Sequence, residues 1–205
     1  PAMTLEIFDK TPGNKVTTDI IDEVRLIKTP FEVGRYAHAC QVLGVGFNKL
    51  MEICKPGSML FELYGDASKE MMAKAVLEIP EINPLATRVA AIAQPPSISH
   101  DPHNFSNLFQ QMEAGGPHIT LIAGQVDGCG VELERTFFLG SVPEAAKKPF
   151  ETMMTARSMT YDRLKPGANM GAIGKEVNDY FKKAGFEENL LHRTGHGMGI
   201  TGHEG

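Results

Sequence analysis

The chain has 205 residues, 42% of them hydrophobic and 22% charged, enough for one large domain or two small ones with a sizeable buried core. Its 20 basic and 25 acidic side chains give a net charge of -5, which argues against a general nucleic-acid or anionic-membrane surface, since both need concentrated Lys and Arg. Three widely spaced cysteines, Cys40, Cys54 and Cys129, form no zinc-type pair and read as free thiols in a reducing compartment, so a cytoplasmic location is expected. Cys40 and Cys54 fall in one apolar-periodic segment and are expected in the core. No apolar run is long enough to span a membrane, and no signal peptide is recognisable; the start at Pro1 suggests a processed or trimmed end.

Residues 1 to 20 read as a tail or linker with a turn at Thr11-Pro12-Gly13-Asn14. Thr29-Pro30 then opens a long helix, with Thr at the cap and Pro in the first turn. Phe31, Tyr36, Leu43, Phe47 and Leu50 recur along it mostly at helical spacing, and Lys55-Pro56-Gly57 stops it. A second helix is expected over about 60–77. Residues 88 to 93 read as a buried strand, ended by Pro95-Pro96 and followed by a polar loop from Ser97 to Asn107. Strands are expected over 119–123 and 131–139, joined at the hairpin signal Asp127-Gly128.

The order then begins again. Lys148-Pro149-Phe150-Glu151 opens a helix that Lys165-Pro166-Gly167 stops, and another helix over about 170–184 is capped by Gly185. A strand is expected from about Asn189 into a glycine run. This repetition predicts two similar halves packed face to face, near 22–140 and 141–205. The second half has fewer strands than the first, so further strands are expected beyond Gly205, and the 205 residues alone are expected not to fold stably.

The most unusual segment runs from Arg193 to Gly205. Glycines flank His196, and His203 follows seven residues later. In a flat strand that odd spacing would put the imidazoles on opposite faces, but glycines permit a bulge or loop that brings both to one pocket. Histidine serves there as metal ligand or as acid-base group near neutral pH. His38, His118 and His192 have no motif around them and read as structural.

Residues 195 to 204, Gly-His-Gly-Met-Gly-Ile-Thr-Gly-His-Glu, match a motif of the family that contains methionine aminopeptidase, Xaa-Pro aminopeptidase, prolidase and creatinase. Arg25-Leu26-Ile27-Lys28-Thr29-Pro30-Phe31-Glu32 resembles the opening of the catalytic domain in the Xaa-Pro and creatinase branch. Leu133-Glu134-Arg135-Thr136 resembles the strand that carries a metal-binding carboxylate. The resemblance implies an α+β pita-bread fold, with residues 1–21 as the exit from a preceding domain and 22–205 as a catalytic domain incomplete at its C-terminus. It also implies a homodimer.

Peptidases of this family hold two divalent metals, Mn, Co or Zn, with Asp, Asp, His, Glu and Glu, and the last two Glu would lie beyond Gly205. By resemblance Glu132 and His196 are the metal ligands here, and Leu121 stands where the family has its first Asp, a side chain that cannot bind a hard cation. Asp127 is a conceivable substitute, although Asp-Gly at a hairpin is more often just a turn. The chain therefore carries either a degenerate metal site or none, as in creatinase, which works without metal. His103, with His100 as fallback, resembles the acid-base histidine of the loop before the hairpin, and His203 the second pocket histidine; these two are the catalytic candidates. His196, Arg135 and Glu204 are the substrate-binding candidates. The implied activity is hydrolysis of a C–N bond in an Xaa-Pro peptide or small amino-acid derivative. The alternatives are a metal-free binding or scaffold protein, and a lyase acting on a small zwitterion.

Overall fold

The structure, a computed structural model, describes residue 12, residues 19–101, residue 104 and residues 106–204. His103 and most of the turn expected at Thr11-Pro12-Gly13-Asn14 lie outside the described residues. A short helix α1, Ile20–Leu26, comes first and crosses the boundary expected at residue 21. Helix α2, Pro30–Ile53, starts at Thr29 with a full capping box: Thr29 Oγ1 accepts from the Glu32 amide, and the Glu32 carboxylate accepts from the Thr29 amide at 2.7 Å. Gly57 follows at φ 89°, a left-handed turn that admits glycine readily. Helix α3, Leu60–Glu78, runs back against α2.

Three antiparallel strands follow: β1 at Arg88–Gln94, β2 at Gly115–Val126 and β3 at Cys129–Leu139, in the order β1-β2-β3. Asp127 and Gly128 take φ 48° and 88°, the paired left-handed angles of a tight hairpin. The Asp127 carboxylate accepts from Arg35 and from the Asn83 amide, which accounts for this acid as a turn residue. One sheet face carries Ala91, Ile122 and Val131 and packs on α2 and α3, where Ala39, Val42, Leu43, Leu50 and Met71 complete the main core. Burying an apolar face this way is the main source of stability in such a layer. His118 belongs to this face: it is fully buried, its Nε2 donates to the Glu113 carbonyl at 3.0 Å, and burial pushes its pKa down.

Helix α4, Glu144–Arg163, and helix α5, Met170–Lys183, form a second pair with a small core of Ala156, Ile173 and Val177. α4 begins one turn earlier than Lys148-Pro149 predicts. Glu144, Ala145, Ala146 and Lys147 are strong helix formers, and they extend the helix past Pro149 at the loss of one backbone hydrogen bond. Gly185 closes α5 at φ 88°, with Phe186 N donating to the Phe181 carbonyl.

Two other expectations need correction. After α5 a 3-10 turn at Glu187–Asn189 and a glycine loop stand where a strand was expected, and among the described residues the loop's β-bridge is internal, between Gly197 and Glu204. Gly195, Gly197, Gly199 and Gly202 offer no side chains to pack a ladder against a neighbour. Cys40 is exposed, because on α2 it sits one position round from Ala39 and off the buried stripe of Val42, Leu43 and Leu50. Cys54 is half-buried, and burial pushes its thiol up to about 11. No described helix is long and apolar enough to cross a membrane.

Candidate active site

The second face of the sheet carries the chemistry. In the β2–β3 register Leu121 lies opposite Glu134 and Ala123 opposite Glu132, so Leu121 and Glu132 are diagonal neighbours on one face. The glycine loop folds over this face. Its one antiparallel bridge pairs Gly197 with Glu204, and that register puts His196 and His203 on the same side as diagonal neighbours. The loop is docked onto the sheet by the Gly130 amide, which donates to the Gly199 carbonyl at 2.9 Å, and by Gln125 Nε2, which donates to the Ile200 carbonyl at 2.8 Å. A Cβ on Gly130 would sit 2.7 Å from that Gly199 oxygen, so the close approach requires glycine.

Three side chains converge as a result. His196 Nε2 lies 3.3 Å from Glu132 Oε2, and His203 Nε2 lies 3.5 Å from Glu132 Oε1. The two imidazole centroids are 4.0 Å apart. One ligand atom from each of Glu132, His196 and His203 falls within 4.8 Å of the others. His196 Nδ1 donates to the Gly197 carbonyl at 2.9 Å. His196 also lines an open cavity of about 880 Å³ between the loop and the α4–α5 pair, with Tyr161, Asn178 and Arg193. His203 lines one of about 290 Å³ against α1, with Arg25 and Thr201. The two histidines of the cluster thus each reach an accessible hollow.

The other candidates fall elsewhere. Arg135 is three residues from Glu132, and odd spacing on a strand alternates faces. Its amide donates to Thr120 Oγ1 at 2.8 Å, its Nη1 donates to the Glu134 carbonyl at 2.6 Å, and it lines a different cavity with Phe150, Met153 and Arg157. Leu121 is half-buried and brings no ligand. Glu204 is taken up by a clamp: Arg25 donates to Oε1, Lys28 donates to Oε2 at 3.0 Å, and the Thr201 amide donates at 3.3 Å. The Glu204 side chain is only 9% exposed, and it fastens the loop to α1 and its sequel at the edge of the hollow that His203 lines. Sequence reading had no signal for this clamp, because its partners lie more than 170 residues away.

Burial works against charge on Glu204, but Lys28, the Thr201 amide and Arg25 overcome it and hold the carboxyl at about 2, against an ordinary 4.5. The folded carboxyl refuses a proton that the unfolded one accepts. The clamp's contribution is therefore complete above pH 4.5 and is lost as the pH falls toward 2. Urea melts between pH 5 and about 2.5 should show this acid-dependent loss in the wild type and a shallower one in Glu204→Gln; parallel curves would remove the clamp as a source of stability.

Residues 34–205 match metallopeptidase family M24. The chain belongs to this family. Among curated relatives it is 20% identical over 190 residues to a probable dipeptidase PepE of Mycobacterium tuberculosis, covering 92% of this chain and 48% of that protein. It is 21% identical over 190 residues to the Xaa-Pro dipeptidase of Pyrococcus furiosus, covering 93% and 52%. The chain thus spans about half the length of the curated relatives it matches. Among solved structures, the Xaa-Pro dipeptidase from Bacillus anthracis superposes with a TM-score of 0.78 at 21% identity, over 92% of this chain and 51% of the other. The likeness fixes the fold as the α+β pita-bread architecture of this M24 family.

Proposed function

We propose that this M24 chain is part of a hydrolase that cleaves a C–N bond, with an Xaa-Pro dipeptide or a similarly small amino-acid derivative as substrate. The observation that carries this reading is the convergence of Glu132, His196 and His203 on one sheet face beneath the glycine loop. A carboxylate and two imidazoles at that separation can hold a scissile carbonyl, polarise it and move protons at neutral pH. His196 and His203 each line a separate hollow, which leaves room for the two arms of a short substrate. Leu121 makes the family's two-metal set a poor fit here, whereas a single cation fits Glu132 with the two histidines. A divalent cation so held would polarise the carbonyl and lower the pKa of a bound water. His103 remains the sequence-based candidate for proton transfer from the loop before β2, and the names of the relatives support a dipeptide substrate. A cytoplasmic homodimer belongs to the same reading, resting on the family resemblance and the free thiols.

The test is a panel of Xaa-Pro and non-proline dipeptides given to the full-length protein, wild type beside His196→Ala and His203→Ala. Release of the free amino acids by the wild type alone supports the hydrolase. Equal release by both variants would detach the activity from this cluster, and binding without release would mark a scaffold.

A further inference from the structure

His203 stands between two anchors of the glycine loop. On one side the loop is tied to the β2–β3 hairpin, where the Gly130 amide donates to the Gly199 carbonyl and Gln125 Nε2 donates to the Ile200 carbonyl. On the other side Glu204 is tied to the segment before α2: Arg25 Nη2 donates to Oε1, and Lys28 Nζ donates to Oε2 at 3.0 Å. Only Thr201, Gly202 and His203 lie between the anchors, and they are bound to each other, since Thr201 Oγ1 donates to the His203 carbonyl at 3.0 Å. A backbone held at both ends over so few residues leaves the imidazole little freedom beyond its own rotamers. The Arg25 and Lys28 pattern at the opening of the domain thus has a physical counterpart in the loop that carries His203.

We propose that Arg25 and Lys28 are positioning residues for the reaction, which set through Glu204 where His203 stands relative to Glu132. The proposal deepens the hydrolase reading and rests on it. Lys28 is the firmer of the two posts. It lies between the end of α1 and the Thr29 cap of α2, and α2 is rooted in the main core through Val42, Leu43 and Leu50. Arg25 stands in the last turn of α1, a helix with no buried residue and no share in the main core. Loss of either cation therefore leaves the main core intact. The side chains of Arg25, Lys28 and Glu204 are 27%, 17% and 9% exposed. At that depth a carboxylate left with one cation turns toward water to recover its solvation, and its chain neighbour His203 shifts with it. His203 Nε2 is already 3.5 Å from Glu132 Oε1, so a retreat of about 1 Å takes it out of reach.

The test uses Arg25→Gln, Lys28→Gln, Arg25→Lys, Glu204→Gln and the double variant Arg25→Gln/Glu204→Gln in the full-length protein. Lys147→Gln, which breaks an ion pair on α4, is the control. Two quantities are measured: kcat and KM on the dipeptide panel, and the rate at which diethyl pyrocarbonate modifies His203, followed by peptide mass spectrometry against His192 in the same sample. Arg25→Gln and Lys28→Gln should each lower kcat about 10²-fold with KM little changed, and should speed the modification of His203 severalfold. Arg25→Lys should stay near the wild type, because Arg25 reaches Glu204 through one nitrogen that an ammonium replaces. The double variant should lose no more than Glu204→Gln alone, since both changes act by one route. Circular dichroism identifies any variant that fails to fold, and the variant of the other cation then decides the matter. If the wild type cleaves no dipeptide, the hydrolase reading fails, while the modification rate of His203 still judges the clamp. Folded Arg25→Gln and Lys28→Gln variants with wild-type kcat or an unchanged His203 rate, or additive losses in the double variant, would overturn the proposal.

Discussion

Glu132→Gln is expected to lower kcat/KM for dipeptide hydrolysis by about 10²–10³-fold, the range for removing one preorganised charged group from a reacting centre. Both carboxylate oxygens are engaged, one toward each imidazole, so the residue joins the two histidines into a single unit. Glutamine keeps the size and the place on β3 but removes the charge and turns one acceptor into a donor. Because Glu132 is half-exposed on the face away from the main core, thermal unfolding should stay close to that of the wild type. Initial rates and melting curves on the same preparations check both statements. A folded variant that retains more than about a tenth of the wild-type kcat/KM would place the chemistry elsewhere.

Gly199→Ala is expected to cost about 10²-fold in activity without touching any reacting group, since a displacement of about 1 Å in a catalytic side chain is worth that much. A Cβ on Gly199 would land on the Glu204 carboxylate. The carboxylate would have to leave Arg25 and Lys28, and His203, its chain neighbour, would move with it. Gly195→Ala supplies the contrast, because a Cβ there meets nothing within 4 Å and should leave the rate near wild type. Steady-state kinetics of the two variants, with proteolytic cleavage of the loop as a second readout, tests the difference. Equal activity in both would show that the glycines are not needed for close approach.

Much of the fold was legible because its signals are local. The Thr29-Pro30 cap with Glu32, the two Lys-Pro-Gly stops and the Asp127-Gly128 turn each act over a few residues, and each appears where the sequence put it. The glycine run around His196 and His203 was legible for the same reason, and so was Glu132 on its strand. What escaped depends on partners distant in sequence or on small changes of phase. The Glu204 clamp joins segments from the two ends of the chain. Arg135 was a substrate-binding candidate by resemblance, and an odd step along β3 separates its side chain from that of Glu132. The strand expected after Asn189 depends on a neighbour to pair with, and the glycine loop finds its partner within itself. Helix α1 gave no signal, since its residues Ile20, Ile21 and Val24 are exposed and bury no stripe that a periodic pattern would reveal.

The central claim is that this cluster adds water across a C–N bond, and the most direct measurement is the fate of the oxygen. The full-length protein is incubated with the dipeptide panel in ¹⁸O-labelled water, and the products are weighed by mass spectrometry. Hydrolysis predicts one ¹⁸O in the newly formed carboxylate and none in the released amine, with the yield of labelled product falling about 10²–10³-fold in Glu132→Gln. Products formed without ¹⁸O would contradict the account and point to elimination, and intact dipeptides throughout would leave a pocket that binds without reacting.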